Sequence, residues 1–368
     1  MGSFSPDPPK PWVETPLIFS PPLSRKAGCN IYLKLENTQP SGSFKSRGIG
    51  NMMLASLSTT TASSSDDPPS AAADEVHFYC SSGGNAGLAC ASTAALLRQP
   101  GTGTTISATI VVPTSTSAFM VSKLRELGAQ VVQTGASWAE ADAYLRDTLL
   151  VPEYGVKKVY VPPFDHPDIW TGASSLVDEI ARDVMAGRVP GGVDAVVCNV
   201  GGGGLLNGVM EGLERCGKVM GAGQPGRKTK VLAVETEGAE SLYASVQAGE
   251  LVTLPAITSI ATSLGARRVS KKTWEWFQRA RGDLISTTVT DREAALACVN
   301  FLDDARILIE VACGATVATA YNGYLRQYLG KGLTDEEWAT RNVVLVVCGG
   351  SHTSLEILEK YKKTYGIE

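Results

Sequence analysis

The chain has 368 residues, 43% hydrophobic and 19% charged, which is enough for one large domain or two of ordinary size and typical of a globular protein. A formal net charge of −4 leaves no basic excess to attract nucleic acid or anionic lipid, and no apolar run approaches the length of a membrane span. The one locally basic run, Arg267 to Lys272, is interrupted by Val269 and Ser270 and reads as a solvated helix start.

Taken in chain order, short apolar strands alternate with amphipathic stretches of helix length, the pattern of an α/β protein. The Pro-rich opening MGSFSPDPPKPW lacks the charged-then-apolar order of a secretion signal, so a cytoplasmic protein is expected. Residues 31–35 read as a strand. Residues 44–57 read as a helix that follows the turn Pro40-Ser41-Gly42-Ser43, with Ser43 as its cap. Residues 58–73, rich in Ser, Thr, Ala and Asp, read as a low-complexity, disordered loop.

Strands are then expected at 76–80, 106–112, 129–133 and 159–161. Helices are expected at 86–97, 118–127 and 138–150, so that residues 50–161 form an open-sheet unit of about four strands. Further on, 195–200, 231–234 and 343–347 are apolar enough to be strands buried on both faces. Eight cysteines, at 29, 80, 90, 198, 216, 298, 313 and 348, form no CxxC pair and have no histidine cluster beside them. They read as buried free thiols of a reducing compartment rather than as zinc or redox motifs.

Four segments carry chemistry. In Pro40-Ser-Gly-Ser-Phe-Lys45, a lysine opens a helix, where the positive end of the dipole disfavours a cation. Alone, it reads as an exposed loop lysine. Cys80-Ser-Ser-Gly-Gly-Asn85-Ala-Gly87 lies between a strand and a helix, and its main-chain N–H groups offer an anion site suited to a carboxylate. Val200-Gly-Gly-Gly-Gly-Leu205 repeats that arrangement with four glycines, which let the backbone wrap a phosphate. It has neither GxGxxG nor GK[ST] spacing, which counts against a nicotinamide dehydrogenase and a P-loop. Val347-Cys348-Gly-Gly-Ser351 closes an apolar strand, at the end where ligands of open sheets bind. Together the four describe a site for an anion-bearing ring with a lysine beside it.

With YLKLENTQPSGSFKSRGIG, CSSGGNAGLA, YVPPFDHPDIW, VGGGGLLNGV, ETEGAESL, TSLGA, VACGA and VVCGGS in view, the chain resembles the serine/threonine dehydratases among the fold-type-II pyridoxal-phosphate enzymes, specifically the eukaryotic L-serine dehydratase branch. The resemblance runs from about Thr15 to Tyr361. It implies a tryptophan-synthase-β-like fold of two open twisted α/β domains with the cofactor in the cleft between them. Residues 1–48 and 162–368 would form the large domain, and 49–161 the small one.

The resemblance also implies pyridoxal 5'-phosphate joined to Lys45, with Phe44 packed on its ring and Asn85 bonded to its hydroxyl. Gly201, Gly202, Gly203, Gly204 and Leu205 would hold the phosphate, and Cys348 would face the pyridine nitrogen. Ser82, Gly83, Asn85 and Ala86 would surround the carboxylate of an amino-acid substrate, with Phe164 lining the pocket. A monovalent cation, potassium or another, would sit at Glu235 and the carbonyls of Gly201, Ala239, Leu264 and Ala266. A homodimer follows from the family alone.

The implied reaction is elimination of water and ammonia from L-serine, with L-threonine left open as a second substrate. The branch commonly has alanine where this chain has Gly83, and some weakly active relatives have glycine, which puts the rate in question. Two readings stay beside it: a β-replacement enzyme of the cysteine synthase type, and a dehydratase-like pseudoenzyme.

Overall fold

The protein is described here from a computed structural model covering residues 10–58, 75–98, 104–223, 226 and 228–367. The low-complexity stretch expected to be disordered falls almost wholly outside the described residues. Ten strands are found among the described residues: β1 (Leu17–Phe19), β2 (Asn30–Lys34), β3 (Glu75–Cys80), β4 (Thr105–Val112), β5 (Gln130–Gln133), β6 (Val156–Tyr160), β7 (Ala195–Asn199), β8 (Lys230–Thr236), β9 (Leu284–Val289) and β10 (Asn342–Val346).

By its internal contacts the chain divides into two compact units, one built mainly from residues 45–172 and the other from 14–38, 42–44 and 173–368. The sequence suggested boundaries at 49 and 161. The contact division instead keeps the whole helix Lys45–Ser58, and residues as far as Gly172, with the first unit.

The first unit holds a four-stranded parallel sheet in the order β5-β4-β3-β6. Its strands alternate, so Phe78 and Cys80 turn to one face, where the helices Lys45–Ser58 and Asn85–Leu97 pack. Tyr79 and Val111 turn to the other and meet Ala141 and Leu145 of the segment that runs from the helix Trp138–Tyr144 into a π-helical turn at Leu145–Leu149.

The second unit holds a six-stranded sheet in the order β1-β2-β10-β7-β8-β9, parallel except for the edge strand β1. Every residue of β7 and β10 is buried, as expected for central parallel strands covered on both faces. Among the described residues no helix is long and apolar enough to cross a membrane.

Both sheets change direction once. In the first, the chain steps outward from β3 to β4 and β5, then returns to place β6 on the other side of β3. In the second it steps from β7 to β8 and β9, then returns to place β10 on the other side of β7. At such a switch point the loops leaving neighbouring strands diverge and open a crevice at their carboxyl ends. All four chemistry-bearing segments are tied to these two points.

Candidate active site

In the first unit, Lys45 is the first residue of its helix, one position later than expected. Ser43 does not lead into the helix directly; it forms an isolated antiparallel bridge with Gly349. Gly42, at φ +76°, takes the left-handed conformation that makes the turn. The turn is locked by Ser46 Oγ, which accepts from Ser41 N–H at 3.1 Å and lies 2.7 Å from Ser41 Oγ. Lys45 Nζ donates to the carbonyl of Pro163 at 2.5 Å, just past the end of β6. Phe164 follows, its carbonyl accepting from Trp170 Nε1 at 2.9 Å. The lysine, Pro163 and Phe164 are thus brought together.

Ser82 to Ala86 leave β3, the hydrogen-bonded neighbour of β6. The helix Asn85–Leu97 has Gly84 at its N-cap, which supplies no side-chain acceptor, so the positive end of the helix is left for an anion. Ser82 Oγ accepts from Gly84 N–H at 3.3 Å and braces the loop. Gly87 must be glycine because any Cβ would strike the Ser82 carbonyl.

In the second unit, Gly201, Gly202 and Gly203 leave β7, and Gly204 opens the helix Gly204–Met220. Two of these glycines have a neighbour where a side chain would be. A Cβ on Gly201 would lie 3.1 Å from Leu264 Cα, and Gly203, at φ +96°, would meet Thr273 Oγ1. The loop is held from behind by Ser270 N–H, which donates to the Gly202 carbonyl at 2.9 Å. Ser270, Thr273 and Asn207 form a closed set of buried hydrogen bonds at 2.9–3.0 Å. The result is a rigid, side-chain-free cradle at a helix N-terminus, the arrangement that binds a phosphate through main-chain N–H groups.

Cys348 follows β10, the neighbour of β7, and its carbonyl accepts from Phe44 N–H at 3.0 Å. Its sulfur accepts from Asn199 Nδ2 at 3.1 Å, while the same amide also donates to the Ala312 carbonyl at 2.6 Å. Contact with the Cys313 thiol, then burial, then the charge of Glu310 push the Cys348 thiol well up, so it is neutral at physiological pH. A group facing this sulfur meets a neutral thiol. The sequence reading missed Asn199. Its signal was a lone polar residue at the end of an apolar strand, directly before the glycine loop.

Glu235 is fully buried at the end of β8, its two oxygens accepting from the N–H groups of Leu242 and Tyr243 at 2.8 and 2.7 Å. Burial raises its carboxyl to about 8 against the pull of those two donors. Gly201 lies beside Leu264, and Leu264 accepts from Ala266 N–H at 2.7 Å. Ala239, whose N–H donates to Thr236, is buried nearby in sequence. Among the described residues no cluster of three or more His, Cys, Asp or Glu side chains has metal-binding geometry.

The two units, each taken by itself, supply groups whose chemistry suits pyridoxal phosphate. There is an amine at a strand-end switch point, a cradle that a Cβ would fill, and a neutral hydrogen-bonded thiol at the end of the strand beside it.

A family model described as pyridoxal-phosphate dependent enzyme matches residues 10–349. A bovine (Bos taurus) L-serine dehydratase/L-threonine deaminase is 40% identical over 356 residues, 97% of this chain and 96% of its own. A human (Homo sapiens) serine dehydratase-like protein is 42% identical over 354 residues, 96% of this chain and 95% of its own. Among solved structures, a fungal L-serine ammonia-lyase from Rhizomucor miehei superposes with a TM-score of 0.79 at 34% identity, covering 96% of this chain and 99% of its own.

Proposed function

The chain belongs to the pyridoxal-phosphate dependent enzyme family, with the fold of its type II members, and from that premise we propose that it is an L-serine ammonia-lyase that also takes L-threonine, releasing pyruvate or 2-oxobutanoate and ammonia. The observation that carries the reading is the Lys45 amine, held against the Pro163 carbonyl at the exit of β6. It sits in a chain that is 40% identical over nearly its full length to a serine and threonine dehydratase.

Bound at Lys45, pyridoxal phosphate supplies the electron sink that makes the α-proton of an amino acid acidic. Lys45 would hold it covalently through its amine, and that amine, when not bonded to the cofactor, would be the base for that proton. Gly201 to Gly204 and Leu205 would grip the phosphate by their N–H groups, Phe44 would pack on the ring, and Asn85 would donate to its hydroxyl. Ser82, Gly83, Asn85 and Ala86 bind the substrate carboxylate, and Phe164 lines the pocket. Cys348 would face the ring nitrogen, where a neutral thiol is too weak an acid to hold a proton in place, an environment that would favour elimination over transamination.

We assign a monovalent cation, potassium first, to Glu235 and the carbonyls of Gly201, Ala239, Leu264 and Ala266. We also read the protein as a cytoplasmic homodimer; its eight free cysteines are in keeping with a reducing compartment. Gly83 supports a second reading, a weakly active dehydratase-like protein, since the human relative of that description is as similar as the bovine dehydratase.

The test is borohydride reduction of the cofactor-loaded protein with peptide mapping, alongside pyruvate release from L-serine. Label on Lys45 together with pyruvate formation is the expected result. Label on another lysine, or none, overturns the assignment of Lys45, and absent pyruvate favours the second reading.

A further inference from the structure

The first unit contains a buried carboxylate that none of the roles above uses. Asp142, on the helix Trp138–Tyr144, is 8% exposed. Its Oδ1 accepts from Ser81 Oγ at 2.5 Å and from the Tyr160 hydroxyl at 2.7 Å. Its Oδ2 accepts from Arg146 Nε at 2.7 Å, and the Arg146 guanidinium lies 4.0 Å over the Tyr160 ring.

The sheet makes this meeting possible. Tyr79 of β3 is in register with Tyr160 of β6, so their side chains share a face, and Ser81, two residues beyond Tyr79, returns to that face. The helix carrying Asp142 covers it, packed through Ala141 and Leu145.

Burial alone raises the Asp142 carboxyl, but the three donors outweigh it and hold the group below the ordinary aspartate range. Burial and the same contact push the Tyr160 phenol up to about 12. Asp142 is therefore ionised at neutral pH and Tyr160 protonated, and the cluster is charge-assisted and directional.

What it joins bears on the reaction. Ser81 immediately precedes the segment 82–86, and Tyr160 stands three residues before Pro163, whose carbonyl receives the Lys45 amine. We infer that Asp142 is a positioning residue that clamps the exit of β3 to the exit of β6, and so fixes the carboxylate-binding loop in register with the segment that supports the catalytic lysine. This rests on the roles proposed above for residues 82–86 and Lys45. Apolar packing would hold a sheet to a helix as well. A carboxylate shared by the two strand ends adds a fixed distance between two loops, which a site sensitive to displacements of about 1 Å requires.

The test compares kinetics and binding in the full-length, cofactor-loaded protein. Asp142→Asn still accepts from Ser81 and Tyr160 but turns an N–H₂ toward Arg146, and Ser81→Ala cuts the arm to the loop. Each is expected to raise KM for L-serine about tenfold while kcat stays within about twofold. L-Alanine has no hydroxyl to lose, so its dissociation constant, read from the cofactor absorption, should rise in parallel. The double variant should be no worse than the weaker-binding single, because both changes break one linkage.

The milder Tyr160→Phe, expected to raise KM about threefold, keeps the test alive if Asp142→Asn does not fold. Parent values of KM and L-alanine binding in the loaded variants would overturn the inference, as would multiplicative effects or kcat falling together with melting temperature. If the underlying reading failed instead, the parent protein itself would show no lysine-linked cofactor or no pyruvate.

Discussion

Gly203 and Thr273 fit together so closely that a Cβ on the glycine would fall on the threonine hydroxyl. That hydroxyl is not free to move, since it donates to Asn207 Oδ1 at 2.9 Å and lies 2.9 Å from Ser270 Oγ. The backbone at Gly203, φ +96°, is also one that residues with a side chain avoid.

Gly203→Ala therefore meets a backbone penalty of about 1–2 kcal/mol and a collision with a buried polar cluster. Cofactor affinity is expected to fall at least about tenfold, and the melting temperature of the cofactor-free protein to drop. Adding Thr273→Ala removes the collision but not the backbone strain, so the double variant should recover only part of both. Cofactor titration and thermal melts of the two variants check this; parent affinity in Gly203→Ala would contradict the cradle.

Gly83 presents a smaller conflict. A Cβ there would lie 2.9 Å from Thr116 Cγ2 and 3.2 Å from both Thr116 Oγ1 and Val112 Cγ1. Thr116 is part-exposed and near the start of the helix Ala118–Glu126, so it has room to give. Gly83→Ala is expected to cost about 1 kcal/mol of stability and to change KM for L-serine more than kcat. Thr116→Ser, which removes the nearer methyl, should restore the stability of Gly83→Ala. Chemical denaturation of the single and double variants measures the effect, and a loss that Thr116→Ser leaves untouched would place the conflict elsewhere.

Strands β3, β4, β7 and β10 were legible in the sequence because each is a run of apolar or β-branched residues bounded by turn signals, and burial of the central strands rewards such runs. The glycine loop was legible because four glycines before a helix serve little else. Strand β6 was placed late: Lys157 and Lys158 disguise its first half, whose side chains are only partly buried. Strand β9 has buried residues interleaved with the partly buried Ile285, Ser286 and Thr288, and so was not seen. The Asp142 cluster was invisible for a different reason. Its members stand at 81, 142, 146 and 160, and only the pairing of β3 with β6 and the packing of a helix over their ends bring them together. No spacing in the chain encodes that.

All eight cysteines are free, and only Cys216 is not buried. Burial raises Cys29 and Cys198 to about 12, and burial followed by contact with Asp178 raises Cys216 as well. Because the thiolate is the reactive form, native protein titrated with a thiol reagent at neutral pH should react slowly at one site at most. All eight should react at once after denaturation. Rapid native labelling of Cys348 would show that its pocket opens to solvent.

Asp142 also sets a pH dependence whose sign can be worked out. Its folded-state pKa is depressed, so its contribution to stability is complete above the unfolded aspartate value of about 3.9 and is lost as pH falls through the folded value. Tyr160 acts at the other end. Its phenol is raised to about 12, so the folded state keeps a proton that the unfolded chain releases above about 10, and stability falls as pH climbs from about 10 toward 12. The cluster is thus intact across the range between those limits. Asp142→Asn should be less stable than the parent by about 2 kcal/mol at neutral pH. That gap should narrow as the medium is acidified below about pH 4, because the parent carboxyl then takes up a proton and resembles the amide. Tyr160→Phe should likewise lose its disadvantage in strong alkali. Denaturant unfolding of the three proteins across this range measures both gaps. A gap between parent and Asp142→Asn that stayed constant from neutral pH to about pH 3 would mean that the carboxylate is not charged where it is buried, and the clamp would have to be redrawn as a neutral hydrogen bond.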